Sequence, residues 1–203
     1  MSRFITFEGL DGAGKSTQLA ALGAMLAQRG QACITTREPG GTALGESLRE
    51  LLLHRQMTPV TELLLIFAAR AEHVEATIRP ALARGAWVLC DRFTDATIAY
   101  QCHGRGLPRP WVDELQSWAH PGLRPDLTLL FDIDPDAAAS RRLAAGTTPD
   151  RFESQRMEFH RRVRDGYRAL ANAEPDRFLV LDATRPATET SAAVAQRVLR
   201  WLD

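Results

Sequence analysis

The chain has 203 residues, with 25 Lys+Arg against 25 Asp+Glu and a formal net charge of +0 at pH 7. That balance argues against general affinity for nucleic acid. No apolar run approaches the roughly 18 residues a membrane span requires, and Cys33, Cys90 and Cys102 lack metal-ligand spacing. The length suits one domain with a substantial core. The chain enters a strand almost at once, so no signal peptide is expected, and the odd cysteine number fits a reduced cytoplasm.

In chain order, strands are expected near residues 3–8, 32–36, 86–91, 127–133 and 177–182. Helices are expected near 15–29, 43–54, 59–84, 109–119, 135–145, 153–172 and 187–202. This alternation predicts an α/β domain with a five-stranded parallel sheet flanked by helices in three layers. Thr58-Pro59 reads as an N-cap followed by proline at the first helical position. Gly30 and Gly85 read as helix C-caps. Pro80 lies inside the long third helix and is expected to kink it.

The junction between the first strand and helix is Gly9-Leu10-Asp11-Gly12-Ala13-Gly14-Lys15-Ser16, followed by Thr17. This spacing, G-x-x-x-x-G-K-[ST] between a strand and a helix, is that of a phosphate-binding P-loop. Lys15 is the sole lysine among the 25 Lys+Arg residues. An ammonium was kept where a planar guanidinium would not substitute. Backbone amides and the helix N-terminus would hold phosphate oxygens, Lys15 would neutralise the β- and γ-phosphates, and Ser16 would ligate Mg²⁺. A guanine-reading Asn-Lys-x-Asp motif is impossible once the lone lysine is used here.

Ligands of open α/β sheets bind at the carboxyl ends of strands. Thr36-Arg37-Glu38-Pro39-Gly40-Gly41-Thr42 follows the second strand and reads as one wall of an acceptor site. Trp87-Val88-Leu89-Cys90-Asp91 resembles a Walker B strand; Asp91 is placed to hold Mg²⁺ through water, and Arg92 to clamp a phosphate. Phe67 and Arg70 share a helix face suited to a planar base. Thr97, Tyr100 and Gln101 carry groups able to read a base and a sugar. Arg141, Arg142 and Arg151 flank the Gly146–Pro149 turn as an arginine-bearing lid, about residues 141–152. The five histidines show no triad or metal spacing.

These landmarks, with Gly104-Arg105-Gly106, Arg124-Pro125-Asp126 and Asp150-Arg151-Phe152-Glu153, occur in the order of one family. Along essentially its whole length the chain resembles bacterial thymidylate kinases, P-loop nucleoside monophosphate kinases. The resemblance implies transfer of the γ-phosphate of ATP to dTMP with Mg²⁺, a homodimer, and a place in dTTP synthesis. It implies that Asp11 meets the deoxyribose 3′-OH or the magnesium shell, and that Arg37, Arg49 and Arg92 lie at the acceptor phosphate. Glu38 and Pro39 join them as substrate-binding positions. Arg70, Thr97 and Gln101 are implied to read thymine, and Tyr100 to crowd the sugar 2′ position.

Three positions depart from the family pattern. The base-stacking aromatic usually lies where this chain has Ile66, so the neighbouring Phe67 is expected to pack on the base. Cys102 and His103 replace glycines, and Ala145 replaces an arginine. With Gly12 in the P-loop, the lid must supply the transfer cation, from Arg142 or Arg151. The alternatives are another P-loop nucleoside or nucleotide kinase, or a regulatory P-loop ATPase.

Overall fold

The computed structural model describes residues 1–146 and 149–202. Five parallel strands, β1 (Phe4–Gly9), β2 (Cys33–Arg37), β3 (Trp87–Asp91), β4 (Leu127–Asp132) and β5 (Phe178–Asp182), form one sheet in the order β2-β3-β1-β4-β5. β1 is buried along its whole length. A strand covered on both faces must satisfy its polar residues internally. Thr6 accordingly pairs with Thr128 at 3.0 Å, and Glu8 bonds to groups described below.

Helices α1 (Lys15–Gln28), α2 (Ala43–His54), α3 (Pro59–His73) and α4 (Arg79–Ala83) precede β3. Then come α5 (Thr94–Thr97), α6 (Arg109–Ala119), α7 (Pro135–Ala144), α8 (Met157–Ala173) and α9 (Ala187–Leu199). Thr58 caps α3 as expected, accepting from Thr61 N. Gly30 and Gly85 take positive φ at the ends of α1 and α4. No helix among the described residues is long and apolar enough to cross a membrane.

Two segments differ from expectation. The helix read over 59–84 is interrupted by a π-helical stretch, Val74–Ile78, immediately before Arg79-Pro80. Proline offers no N–H and its ring crowds the carbonyl four residues back; wider π turns absorb that mismatch. After β3, α5 continues into a π-helical segment, Ile98–Gly104. Residues 93–101 are all buried, so no polar face betrays a helical period there. The end of α5 carries Thr97, and the π turns carry Tyr100 and Gln101, to one side of the sheet's carboxyl edge. Residues 147–148, within the expected Gly146–Pro149 turn, lie outside the described residues.

Candidate active site

β1 sits between β3 and β4, and its carboxyl end opens directly into the P-loop. Gly9 has φ 131°, and a Cβ there would lie 2.5 Å from Phe131 O. Gly12 has φ 89°, and its Cβ would meet Ala138 O at 2.6 Å. Both positions therefore require glycine. Lys15 is almost buried. Its Nζ donates to Gly9 O at 3.3 Å, Leu10 O at 3.2 Å and Asp11 Oδ1 at 3.4 Å, so the ammonium lies inside the curl of the loop.

Arg92, the first residue after β3, has φ 71°. The left-handed region costs a non-glycine residue roughly 1–2 kcal/mol, and hydrogen bonds on each side hold it there. Arg92 N donates to Phe7 O at 3.0 Å, and Phe93 N donates to Glu8 Oε1 at 2.7 Å. The strained backbone turns the guanidinium toward the P-loop. Arg92 Nη2 donates to Asp11 Oδ1 at 2.8 Å and to the Tyr100 hydroxyl at 3.2 Å, and Nη1 to the Tyr167 hydroxyl at 3.1 Å. Burial alone would raise the Asp11 carboxyl, but Arg92 and then Lys15 outweigh it and hold Asp11 well below the usual range. Tyr167 in turn donates to Glu8 Oε2 at 2.8 Å. Desolvation, reinforced by Asp95, pushes Glu8 up to about 8.

Beside the loop lies a cleft enclosing about 740 Å³ of non-atom space open to solvent. Asp11, Arg49 and Arg92 form its charged end; Arg70, Thr97 and Gln101 form its deep end; Leu53, Ile66, Phe93 and Tyr100 are among its walls. Arg70 is 2% exposed. Its Nε donates to Glu38 Oε2 at 2.6 Å and its Nη2 to Thr97 Oγ1 at 2.9 Å. Its Nη1 is buried with no partner among the described residues. Glu38 is also 2.9 Å from His73 Nδ1. Burial would raise Glu38, yet Arg70 and His73 outweigh that and lower it.

Several expected positions are placed differently. Phe67 is absent from the cleft wall; it lies under the Arg70 guanidinium at 4.8 Å, and Ile66 faces the cleft instead. One helical position rotates the side chain by about 100°, enough to exchange wall for core. Arg37 leaves the acceptor cleft too. It pairs with Glu46 at 2.8 Å and borders a separate hollow with Ser16 and Asp91. Arg49 does line the cleft, fixed by donation to Pro39 O at 3.0 Å.

The two lid arginines part company. Arg142 reaches the P-loop, where Nη1 donates to Asp11 O at 2.7 Å. Arg151 is buried away from it: Nε donates to Leu52 O at 2.9 Å and Nη1 lies 2.6 Å from Glu62 Oε2. Arg151, one of the two arginines expected to supply the transfer cation, is held here by Leu52 O and Glu62. Residues not singled out from sequence also build the site. They are Glu8 and Glu62, each a carboxylate beside an apolar run, and Tyr167, which follows Arg164-Asp165-Gly166 with no such signal; Asp150, seen from sequence only as part of a family landmark, accepts at Oδ1 from Phe152 N and Glu153 N.

The Asp91 Oδ1 atom is buried and unpartnered among the described residues. It shares its hollow with the exposed Ser16. A hard cation carried on phosphates needs few protein oxygens, and these two residues fit one.

The thymidylate kinase family model matches residues 7–194. The thymidylate kinase of Methylobacillus flagellatus is 58% identical over 184 residues, 91% of this chain and 90% of that protein. The chain belongs to the thymidylate kinase family. The Cupriavidus pinatubonensis thymidylate kinase is 56% identical, over 90% of this chain and 91% of its own length. The solved thymidylate kinase of Ehrlichia chaffeensis superposes with a TM-score of 0.79 at 36% identity, covering 97% and 98% of the two chains. As a thymidylate kinase family member the chain is an ATP-dependent nucleoside monophosphate kinase.

Proposed function

We infer that this chain transfers the γ-phosphoryl group of ATP to dTMP, giving dTDP and ADP. The observation that carries the reading is the Asp11–Arg92 contact at 2.8 Å. It supports the reading because Arg92 then lies against the P-loop, so phosphates held by the two would lie close together.

Phosphoryl transfer asks mostly for positioning and charge stabilisation. The loop amides and Lys15 hold the donor phosphates. Arg92 and Arg49 hold the acceptor monophosphate, which is already largely dianionic near pH 7, its second pKa being about 6; no general base is needed. Arg142, reaching over Asp11, supplies the lid cation to the transferring group. Ser16 and Asp91 would hold Mg²⁺, which supplies charge neutralisation on the β- and γ-phosphates. Burial around Arg70, Thr97 and Gln101 orients the base. Tyr100, whose ring lies 4.9 Å from the Arg92 guanidinium, limits the sugar face.

The test is an ADP-release assay over the common nucleoside monophosphates. ADP formation should depend on dTMP and be far faster with it than with dCMP, dAMP or dGMP. ADP formation without an acceptor would favour the regulatory ATPase.

The reading extends to one kinase domain with its lid at about 141–152, working in the cytoplasm as a homodimer. The cysteines are free thiols. Leu51 on α2, Leu64 on α3, and Trp111 and Trp118 on α6 are exposed, and these helices pack side by side. A second copy covering them would bury a large apolar face. Sedimentation at micromolar concentration should report about twice the 22.5 kDa chain mass.

A further inference from the structure

Glu62 lies on α3 one helical turn before Ile66, sealed from solvent at 1% exposure. Four donors converge on it. Gln101 Nε2 donates to Oε1 at 2.8 Å, and Arg105 donates to both oxygens, Nε to Oε1 at 3.2 Å and Nη2 to Oε2 at 3.1 Å. Arg151 Nη1 completes the set at 2.6 Å from Oε2.

The consequence lies in Gln101. A primary amide has a donor end and an acceptor end, and rotation by half a turn exchanges them with little change of shape. A carboxylate only accepts. With Glu62 on one side, Gln101 is restricted to turning Nε2 toward it. Gln101 is 1% exposed and lines the cleft, and its Oε1 is left without a protein partner among the described residues. Nearby in the deep end of the cleft, the buried Nη1 of Arg70 is an unpartnered donor. The cleft thus offers a base one donor and one acceptor of fixed polarity. A pyrimidine-2,4-dione presents the complement, a carbonyl at C4 and an N–H at N3. A 4-aminopyrimidine presents an amine at C4 and an acceptor at N3, and both contacts are then mismatched.

We propose that Glu62 is a specificity-determining positioning residue: by fixing the amide polarity of Gln101 it makes the acceptor site select pyrimidine-2,4-diones over 4-aminopyrimidines. The inference rests on the reading that the cleft takes dTMP. Discrimination of this kind is strong because the wrong base leaves buried polar groups unpaired.

The experiment compares dTMP with 5-methyl-dCMP, which has the same sugar, phosphate and methyl group. Turnover of dTMP by the unaltered enzyme tests the functional reading; the ratio of the two kcat/KM values tests this inference. Glu62→Gln replaces an obligate acceptor with a second amide, so Gln101 is free to present either end. The ratio should fall by at least about tenfold, since a missing or reversed polar contact in a site built to bond it carries that much or more. Arg151→Ala removes another Glu62 partner without touching Gln101; it should lower thermal stability and leave the ratio as it was. An unchanged ratio in E62Q, or an equal fall in R151A, overturns the proposal. Should E62Q not fold, Gln101→Met assayed with the same two substrates keeps the inference testable. The ratio should fall by at least about tenfold if the Gln101 amide reads the base, and an unchanged ratio overturns the proposal.

Discussion

Arg151 Nη1 lies 2.6 Å from Glu62 Oε2, and both side chains are almost sealed from solvent. Arg142 donates instead to the P-loop at Asp11 O. Of these two arginines, one is held in the interior and the other reaches the P-loop. Arg142→Ala should lower kcat far more than the KM for dTMP, since lid-type arginines contribute about 10³–10⁵ in rate, and should leave the melting temperature nearly unchanged. Arg151→Ala should cost about 1–3 kcal/mol of stability, since it removes the bond to Leu52 O and one of the donors on Glu62, which keeps Arg105 and Gln101. Steady-state kinetics and thermal melts on the two variants decide the matter; equal kcat losses with equal melting shifts would contradict the division.

Lys15 donates to the loop's own carbonyls and to Asp11. Lys15→Met should remove transfer by several orders of magnitude, because the ammonium both shapes the loop and neutralises the donor phosphates. The variant should remain folded, as methionine keeps most of the apolar stem in place. Circular dichroism alongside the ADP-release assay checks this. Activity within tenfold of the parent would remove the P-loop from the mechanism.

The Glu8 carboxyl is pushed up to about 8 by burial and by Asp95, against opposing contributions from Arg92, Tyr167 and Phe93 N. Its ordinary value is 4.5. Below that value the group is protonated in both states and its contribution to stability is complete. As pH rises toward 8 only the unfolded chain gives up the proton, so stability falls, with a slope on the order of 1 kcal/mol per pH unit. Glu8→Gln is neutral throughout and should flatten that decline. Urea denaturation of both proteins at intervals from pH 5 to pH 8 measures it; parallel curves would show that Glu8 is not held protonated.

Tyr100 lines the cleft, with its hydroxyl accepting from Arg92 Nη2 at 3.2 Å. Tyr100→Ala should lower kcat/KM for dTMP and raise the relative use of the matching ribonucleotide. A ribo-to-deoxy preference identical to that of the parent would leave the ring a packing role only.

Much of this architecture is legible along the chain. The strand core Cys33–Arg37 was expected at 32–36, and Trp87–Asp91 at 86–91. Both are short apolar or β-branched runs bounded by turns, a signal that depends on neighbours alone. Segments Ile98–Gly104 and Val74–Ile78 escaped that reading. The first is buried on nearly every side, so its sequence carries no amphipathic period. The second owes its π turns to a proline two residues beyond its end.

Local spacing determined the P-loop, because the curl from Gly9 to Ser16 is a backbone conformation set by glycines at fixed intervals before a helix. The order of strand-end motifs likewise pointed to residues that line the cleft, Glu38 and Pro39 after β2 and Arg92 after β3. Packing decided the partners. Arg92 meets Asp11 across 81 positions and Arg142 meets it across 131, whereas Arg151 meets Glu62 instead. One arginine is indistinguishable from another in composition; which carboxylate or carbonyl it reaches depends on how helices stack on the sheet. The rotation that turns Ile66 rather than Phe67 to the cleft, and the carboxylate that orients Gln101, are likewise settled by contacts between elements far apart in the chain.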